Sequence, residues 1–321
     1  MTNPLQRRDV LALLLALGAG SAHAQKYPAT PIRLIVPFAP GMVTDSSSRI
    51  IAEGLAQELG QPVVVDNKPG AQGILGTRQV AASAPDGYTL LVATNGTHAA
   101  NSSLFRNLPY DPIKDFAPIG LIGTAAWALV VRQNDPARSV TELLAHLRAP
   151  GKNWHAPYFS AASQVCISLL NALAGTSVQA IPYKANGQAL TDLLGGQVEL
   201  GFIDIGTALA QQSAGKLRML ALTSSARSPL APGIPTLAES LPGYEIISWS
   251  GIVSPRGIPP EVASTLNAAL RRVLARPEVH RRFATLAFEP APGSEQAFQQ
   301  KLQADHTRWA RLVKQAGIEP E

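Results

Sequence analysis

An alternation of apolar runs near the start of the chain constrains its fold more than any other feature. Residues 32–38 (IRLIVPF) form a β-rich run ending in Ala39-Pro40-Gly41, the pattern of a strand entering a tight loop. Asp45, Ser46, Ser47 and Ser48 then offer helix-capping side chains ahead of Ile51, Leu55 and Leu59, which recur every four residues. Gly60 and Pro62 stop that helix. Residues 62–65 predict a second strand, Asn67-Lys68-Pro69-Gly70 a turn, residues 75–82 a weaker helix and residues 88–93 a third strand. Strand, helix, strand, helix, strand is the pattern of a parallel sheet covered by helices.

The alternation stops and restarts. Pro109, Pro112 and Pro118 interrupt the stretch 101–133 before an apolar run at 125–131. Helices are then expected over 140–147, 163–173, 188–194 and 207–214, interleaved with strands over 155–160, 178–182, 198–203 and 217–223. A strand over 245–250 and helices over 260–274 and 294–315 close the chain, the last with Phe298, Leu302, Trp309 and Leu312 on one face. The expected class is α/β, with two α/β lobes and a ligand cleft between them. Composition fits that division, because 26 glycines and 26 prolines cut the chain into many short elements. A hydrophobic share of 46% excludes disorder over most of the length. The net charge of +5 is spread without a basic stripe, which argues against nucleic acid as a partner.

Residues 1–24 predict a cleaved export leader. Arg7 and Arg8 precede an apolar stretch at 10–17, and Ala22-His23-Ala24 is a small-x-small cleavage site. The stretch is too short to span ~30 Å of hydrocarbon. The paired arginines suit either the Sec or the twin-arginine route. The expectation is a periplasmic protein, monomeric, without membrane insertion of the mature chain. Its single cysteine, Cys166, excludes an intramolecular disulfide.

Catalytic patterns are missing. His98, His146, His155, His280 and His306 show no metal-ligand spacing, and no GxSxG, P-loop or GxGxxG occurs. No catalytic residue, metal or cofactor is therefore assigned. Cys166 lies between Val165 and Ile167, a setting that favours an inert buried thiol over a nucleophile. With His98, it is what an enzyme on this scaffold would have to use.

Three loops are the candidate binding elements. The first, Phe38-Ala39-Pro40-Gly41-Met42-Val43-Thr44-Asp45, leads into a helix N-terminus, which is either an anion site or an ordinary cap. The second, Thr94-Asn95-Gly96-Thr97, leaves the third strand at the same carboxyl edge, where α/β sheets bind ligands. The third, Ser160-Ala161-Ala162-Ser163, takes the equivalent place in the second unit. Asp45 is a helix cap or a ligand contact. Asp204, at a strand end, either accepts a hydrogen bond from ligand or caps the next helix. Trp127 and Trp249 lie on the segments joining the lobes, as core or as ligand platform.

These residues also resemble a family. Tyr27-Pro28, residues 31–41 (PIRLIVPFAPG), 61–71 (QPVVVDNKPGA), 85–91 (PDGYTLL) and 108–112 (LPYDP) are similar to Bug receptors. So are residues 181–184 (IPYK), 192–198 (DLLGGQV), 215–218 (GKLR), 235–239 (PTLAE) and 314–318 (KQAGI). Bug receptors are the extracytoplasmic solute-binding proteins of tripartite tricarboxylate transporters. The resemblance implies a type II periplasmic-binding-protein fold, with residues 25–124 plus 245–321 as one lobe and 125–244 as the other. It implies capture of a small organic acid by lobe closure and delivery to membrane permease subunits, or signalling to a sensor protein. Positions 38–45 and 160–163 would hold carboxylate through main-chain groups. Met42 stands where the family has a second glycine, which implies a narrower loop with a thioether in the pocket. Residues 159–165 (FSAASQV) lack the family's glycines and carry Gln164 where its histidine stands.

Overall fold

The computed structural model describes residues 27–183, 186–315 and 317–320. The leader expected at residues 1–24 lies outside the described residues. Strand β1 (Ile32–Val36) buries four of its five residues, as a strand covered on both faces must. It leads into α1 (Val43–Leu59), which ends where Gly60 turns left-handed at φ 68°. β2 (Val63–Asn67) and β3 (Thr89–Thr94) pair with opposite edges of β1, both parallel, and α2 (Ile74–Ala81) lies between them in sequence. The alternation that predicts a parallel sheet thus forms one.

The next stretch differs from the expected irregular chain. A wide helical turn, Gly96–Ala100, runs into the short helix α3 (Asn101–Leu104). β4 (Phe116–Arg132) is then a single strand of 17 residues. Pro118 does not end it, because the pairing register shifts between Pro118 and Gly120 and absorbs the missing N–H.

β4 belongs to two sheet regions. Its first part, to Ala126, pairs antiparallel with a later strand, Ile247–Pro255. From Trp127 onward it pairs with two others, Leu200–Asp204 and Leu217–Leu222. The second region is built from α4 (Val140–Arg148), β5 (His155–Tyr158), α5 (Ala161–Ala174), β6 (Gln179–Pro182), α6 (Asn186–Gly195), β7 (Leu200–Asp204), α7 (Ile205–Ser213) and β8 (Leu217–Leu222). β5 and β6 form a separate parallel pair. β9 (Ile247–Pro255) then returns to the first region and inserts between β3 and β4. α8 (Pro260–Leu274), α9 (Pro277–Thr285), the two-residue β10 (Glu289–Pro290) and α10 (Glu295–Gln315) complete the chain.

Packing follows this division. On one face of the first region Val36, Ile51, Leu55, Val92, Ile252 and Leu270 share a core. On the other face, Ile35, Leu91, Trp249 and Phe298 share a second. In the second region Leu129, Val131, Val165, Leu170 and Phe202 pack together. α10 joins both, giving Phe298 and Leu302 to the first region and Trp309, Leu312 and Val313 to the second. The two crossing segments are tied by buried Thr223. Its Oγ1 accepts from Trp127 N at 2.8 Å and donates to Ile246 O at 2.6 Å. Among the described residues, no helix is long and apolar enough to cross a membrane.

Candidate functional site

The first loop leaves β1 at its carboxyl end and turns at Gly41, whose φ of 85° suits glycine. Met42 occupies the N-cap position of α1 in extended conformation and offers no capping hydrogen bond. The N–H groups of the helix's first turn therefore have no side-chain partner, and the dipole's positive end is open. Met42 itself is 49% exposed. Phe38, Val43 and Thr44 are half-buried and Pro40 is exposed.

Asp45 builds this loop. It is buried and accepts from Gly41 N at 2.9 Å, Asn67 Nδ2 at 2.9 Å and Arg49 Nε at 3.1 Å. Burial works to raise its pKa, but the hydrogen bonds from Arg49, Gly41 and Asn67 outweigh it and hold the carboxyl below its ordinary value. Asn67 also donates to Phe38 O at 3.1 Å. Ser47 and Ser48 donate their hydroxyls to Thr44 O, so they brace the helix start from within.

The second loop packs beneath the first. A Cβ on Gly73 would lie 2.8 Å from Thr97 Cγ2 and 3.4 Å from Phe38 Cζ, so the chain after β2 touches both loops. Thr94 and Thr97 are buried and bonded to each other, and Thr97 Oγ1 lies 2.9 Å from His98 Nδ1. Asn95 Oδ1 accepts from Trp249 N at 3.4 Å. His98 is fully buried against Phe116 and Tyr110, and burial alone pulls its pKa down to about 3. It is a neutral core histidine far from any solvent-facing chemistry.

The third loop is closed by its own side chains. Ser160 Oγ accepts from Ser163 N, and Ser163 Oγ accepts from Ser160 N and Phe159 N at 3.1 Å each. This reciprocal capping box satisfies the N–H groups of Phe159, Ser160 and Ser163 at the start of α5. Ala162 and Ser163 are buried behind it. Cys166 lies deeper in α5, fully buried, and burial pushes its thiol pKa up, so the thiolate is disfavoured. Asp204 caps α7, accepting from Thr207 N at 2.8 Å, and also accepts from Asn186 Nδ2 at 3.3 Å.

Two strands join these loops. Trp127 sits opposite Asp204 across the β4–β7 pair. Its ring lies 5.8 Å from that of Phe159, and its Nε1 donates to Ser248 Oγ at 2.8 Å. Two residues along β9, Ser250 pairs with Thr94. Paired residues share a sheet face, and Val92 and Ile252 place this one under α1. Ser250 is 2% exposed and its hydroxyl has no hydrogen-bond partner among the described residues. Phe38 and Thr97 both border Gly73, Thr97 bonds Thr94, Thr94 pairs with Ser250, and Trp127 bonds Ser248 and neighbours Phe159 and Asp204. Ser248, Ser250, Phe159 and Asn186 are absent from the sequence-based set. Ser248 and Ser250 lie within the expected strand 245–250, and their signal is the pairing of β9 with β4 and β3. Among the described residues no group of three or more His, Cys, Asp or Glu could hold a metal ion.

Comparison with known proteins gives concordant results. A model of the tripartite tricarboxylate transporter family receptor matches residues 47–318. Protein BugT of Bordetella pertussis (strain Tohama I) is 34% identical over 303 residues, covering 93% of each chain. The solved structure of R. palustris Rpa4515 with adipate is similar at TM-score 0.83 and 32% identity, over 92% of this chain and all of that one. MatC of Rhodopseudomonas palustris, solved with bound malate, is similar at TM-score 0.78 and 32% identity, over 89% of this chain and all of that one.

Proposed function

This chain belongs to the tripartite tricarboxylate transporter receptor family, and we propose that it captures a small organic carboxylate between its two α/β halves. The observation that carries the reading is the uncapped start of α1 at the carboxyl edge of the parallel sheet. A carboxylate there meets backbone N–H groups and the positive end of a 17-residue helix. Adipate and malate, bound by the two similar structures, are ligands of this class. The reading needs no basic cluster, because peptide dipoles and amides hold the anion.

The finer parts of the proposal rest on family membership. The lobes are residues 25–124 with 245–321, and residues 125–244, hinged where β4 and the segment before β9 cross at Thr223. Ligand favours closure by binding the closed form better than the open one. The closed form, in the periplasm after export, is what a membrane permease receives. Binding and release, rather than turnover, are the expected activities. The ligand contacts of the first half are Phe38, Gly41, Met42, Val43 and Thr44.

Thermal unfolding across mono-, di- and tricarboxylates tests the reading. A ligand present at a hundred times its Kd stabilises by about 2.7 kcal/mol, a shift of several degrees. Absence of any shift across the panel overturns it. Gly41→Val locates the site. Its Cβ would meet no atom within 4 Å, yet its φ of 85° is strained for valine, so the loop moves while the fold stays. The expected result is loss of the ligand-induced shift with an unchanged circular-dichroism spectrum. A retained shift would put the anion elsewhere.

A further inference from the structure

Three consecutive residues after α9 are divided between the two halves of the molecule. Leu286 and Phe288 pack into the first-half core, where the Phe288 ring meets that of Phe283 edge-on at 5.3 Å. Ala287, between them, is buried instead with Ala128, Ile203, Ile205 and Ala208. Every other buried member of that cluster lies within residues 125–244. Ala287 has a φ of 50°, a left-handed conformation that persists in an alanine only where the surrounding structure imposes it. A Cβ on Gly206, in the first turn of α7, would lie 3.4 Å from Ala287 Cβ and 3.5 Å from Leu286 O. Two residues on, Glu289 Oε1 accepts from Ser228 Oγ at 2.6 Å. Glu289 and Pro290 are themselves fixed to the first-half part of β4, opposite Thr124 and Gly123.

The place of this contact gives it a mechanical role. In the first half β4 has β9 on one edge and β10 on the other. The two chain crossings, β4 and the segment before β9, are bonded side by side through Thr223. Adjacent crossings of this kind permit twist as well as bending. Residues 286–289 add a tie on the opposite edge of β4, which widens the base. We propose that they form a strap confining the motion between the halves to one hinge axis. Closure onto a ligand then orders fewer degrees of freedom, and less of the contact energy is lost to that ordering. The inference rests on the two-lobe closing reading above and adds the element that guides the closure.

Spin labels on Gln79→Cys in α2 and Thr141→Cys in α4, both exposed, read the separation of the halves in the mature chain. Fully buried Cys166 stays unlabelled. Ala287→Gly deletes the methyl group facing Gly206 and suits a φ of 50°, so the fold is kept. It should broaden the distance distribution and weaken malate, adipate and citrate by one common factor, at least about threefold. Glu289→Ala, which removes the bond from Ser228, should act in the same direction. Adding Gly206→Ala to Ala287→Gly returns a methyl group to the contact and should narrow the distribution again. An unchanged width in both single variants overturns the strap and leaves the closing reading standing. So does a loss of affinity confined to one acid, because a hinge constraint acts on every ligand alike. A wild-type separation that no acid of the wider carboxylate panel alters overturns the closing reading, and the strap with it.

Discussion

The starts of α1 and α5 occupy equivalent places in the two halves of the molecule and are finished in opposite ways. At α5 the chain caps itself, with a Ser160–Ser163 box whose hydroxyls accept from the N–H groups of Phe159, Ser160 and Ser163. At α1 the cap position holds Met42, and the carboxylate in the first turn, Asp45, is turned back to hold Gly41, Arg49 and Asn67. One helix end is braced by its own side chains. The other is held in shape by its neighbours and keeps its donors. The proposed binding site is the helix end that carries no side-chain cap.

Acid should produce the largest effect, and it acts on the first half. His98 beneath the β3 loop takes up a proton near pH 6.5 when unfolded but near 3 when folded. The unfolded chain therefore binds more protons across that window, and stability falls as pH drops through it, by up to several kcal/mol. Urea unfolding of wild type and His98→Gln between about pH 6.5 and about pH 4.5 should show the slope flattened in the variant. An unchanged slope would assign the acid sensitivity to other groups. Buried Cys166 in the second half contributes nothing in that range, because its pKa is raised.

Asp45→Ala should come next, with a loss of about 2–4 kcal/mol, because Gly41 N loses its partner and Asn67 Nδ2 one of its two acceptors. Carboxylate binding should disappear with it, since the loop is no longer held. A variant that unfolds near the wild-type temperature and still binds would show that Asp45 is a passive cap. Ser163→Ala in the other half should cost about 1–2 kcal/mol, with ligand affinity changed far less than by Asp45→Ala. Met42→Ser is the smallest change and the most direct comparison, since it gives α1 the kind of cap that α5 has. It should add about 0.5–1 kcal/mol of stability and weaken carboxylate binding. Tighter binding in that variant would mean that the open helix end is not where the anion sits.

Local chemistry made much of this fold legible. Capping residues, glycine stops and apolar periodicity locate α1, β2, α4 and α8 to within a few residues, apart from the first turns of α1. The start of α1 is misplaced because Met42 is no capping residue and the helix begins eight residues before Ile51. β4 was hidden because Pro118 reads as a break, whereas a register shift lets the strand continue. α9 was hidden because it begins at Pro277 and buries only Val279 and Phe283, too few positions to display a period. The loop serines show the limit for the site. Ser160 and Ser163 look like ligand donors in sequence, but their hydroxyls face each other, a fact of three-residue helical spacing. Ser250 looks like an ordinary strand residue, and only the pairing of β9 with β3 carries it to the cleft.

That same position of β9 has a consequence for how the protein is made. Between β3 and β4 lies a gap one strand wide, filled by residues 247–255. A chain synthesised from its N-terminus completes all of residues 116–222, the second sheet region included, before that strand exists. Until then one edge of β3 and the first part of β4 present unpaired N–H and C=O groups, the kind of edge that recruits other strands. The first half can close only from behind, by a segment arriving more than 150 residues after β3. Its assembly must therefore wait on long-range loop closure, while the second region has its strands in one continuous stretch and can form ahead of it.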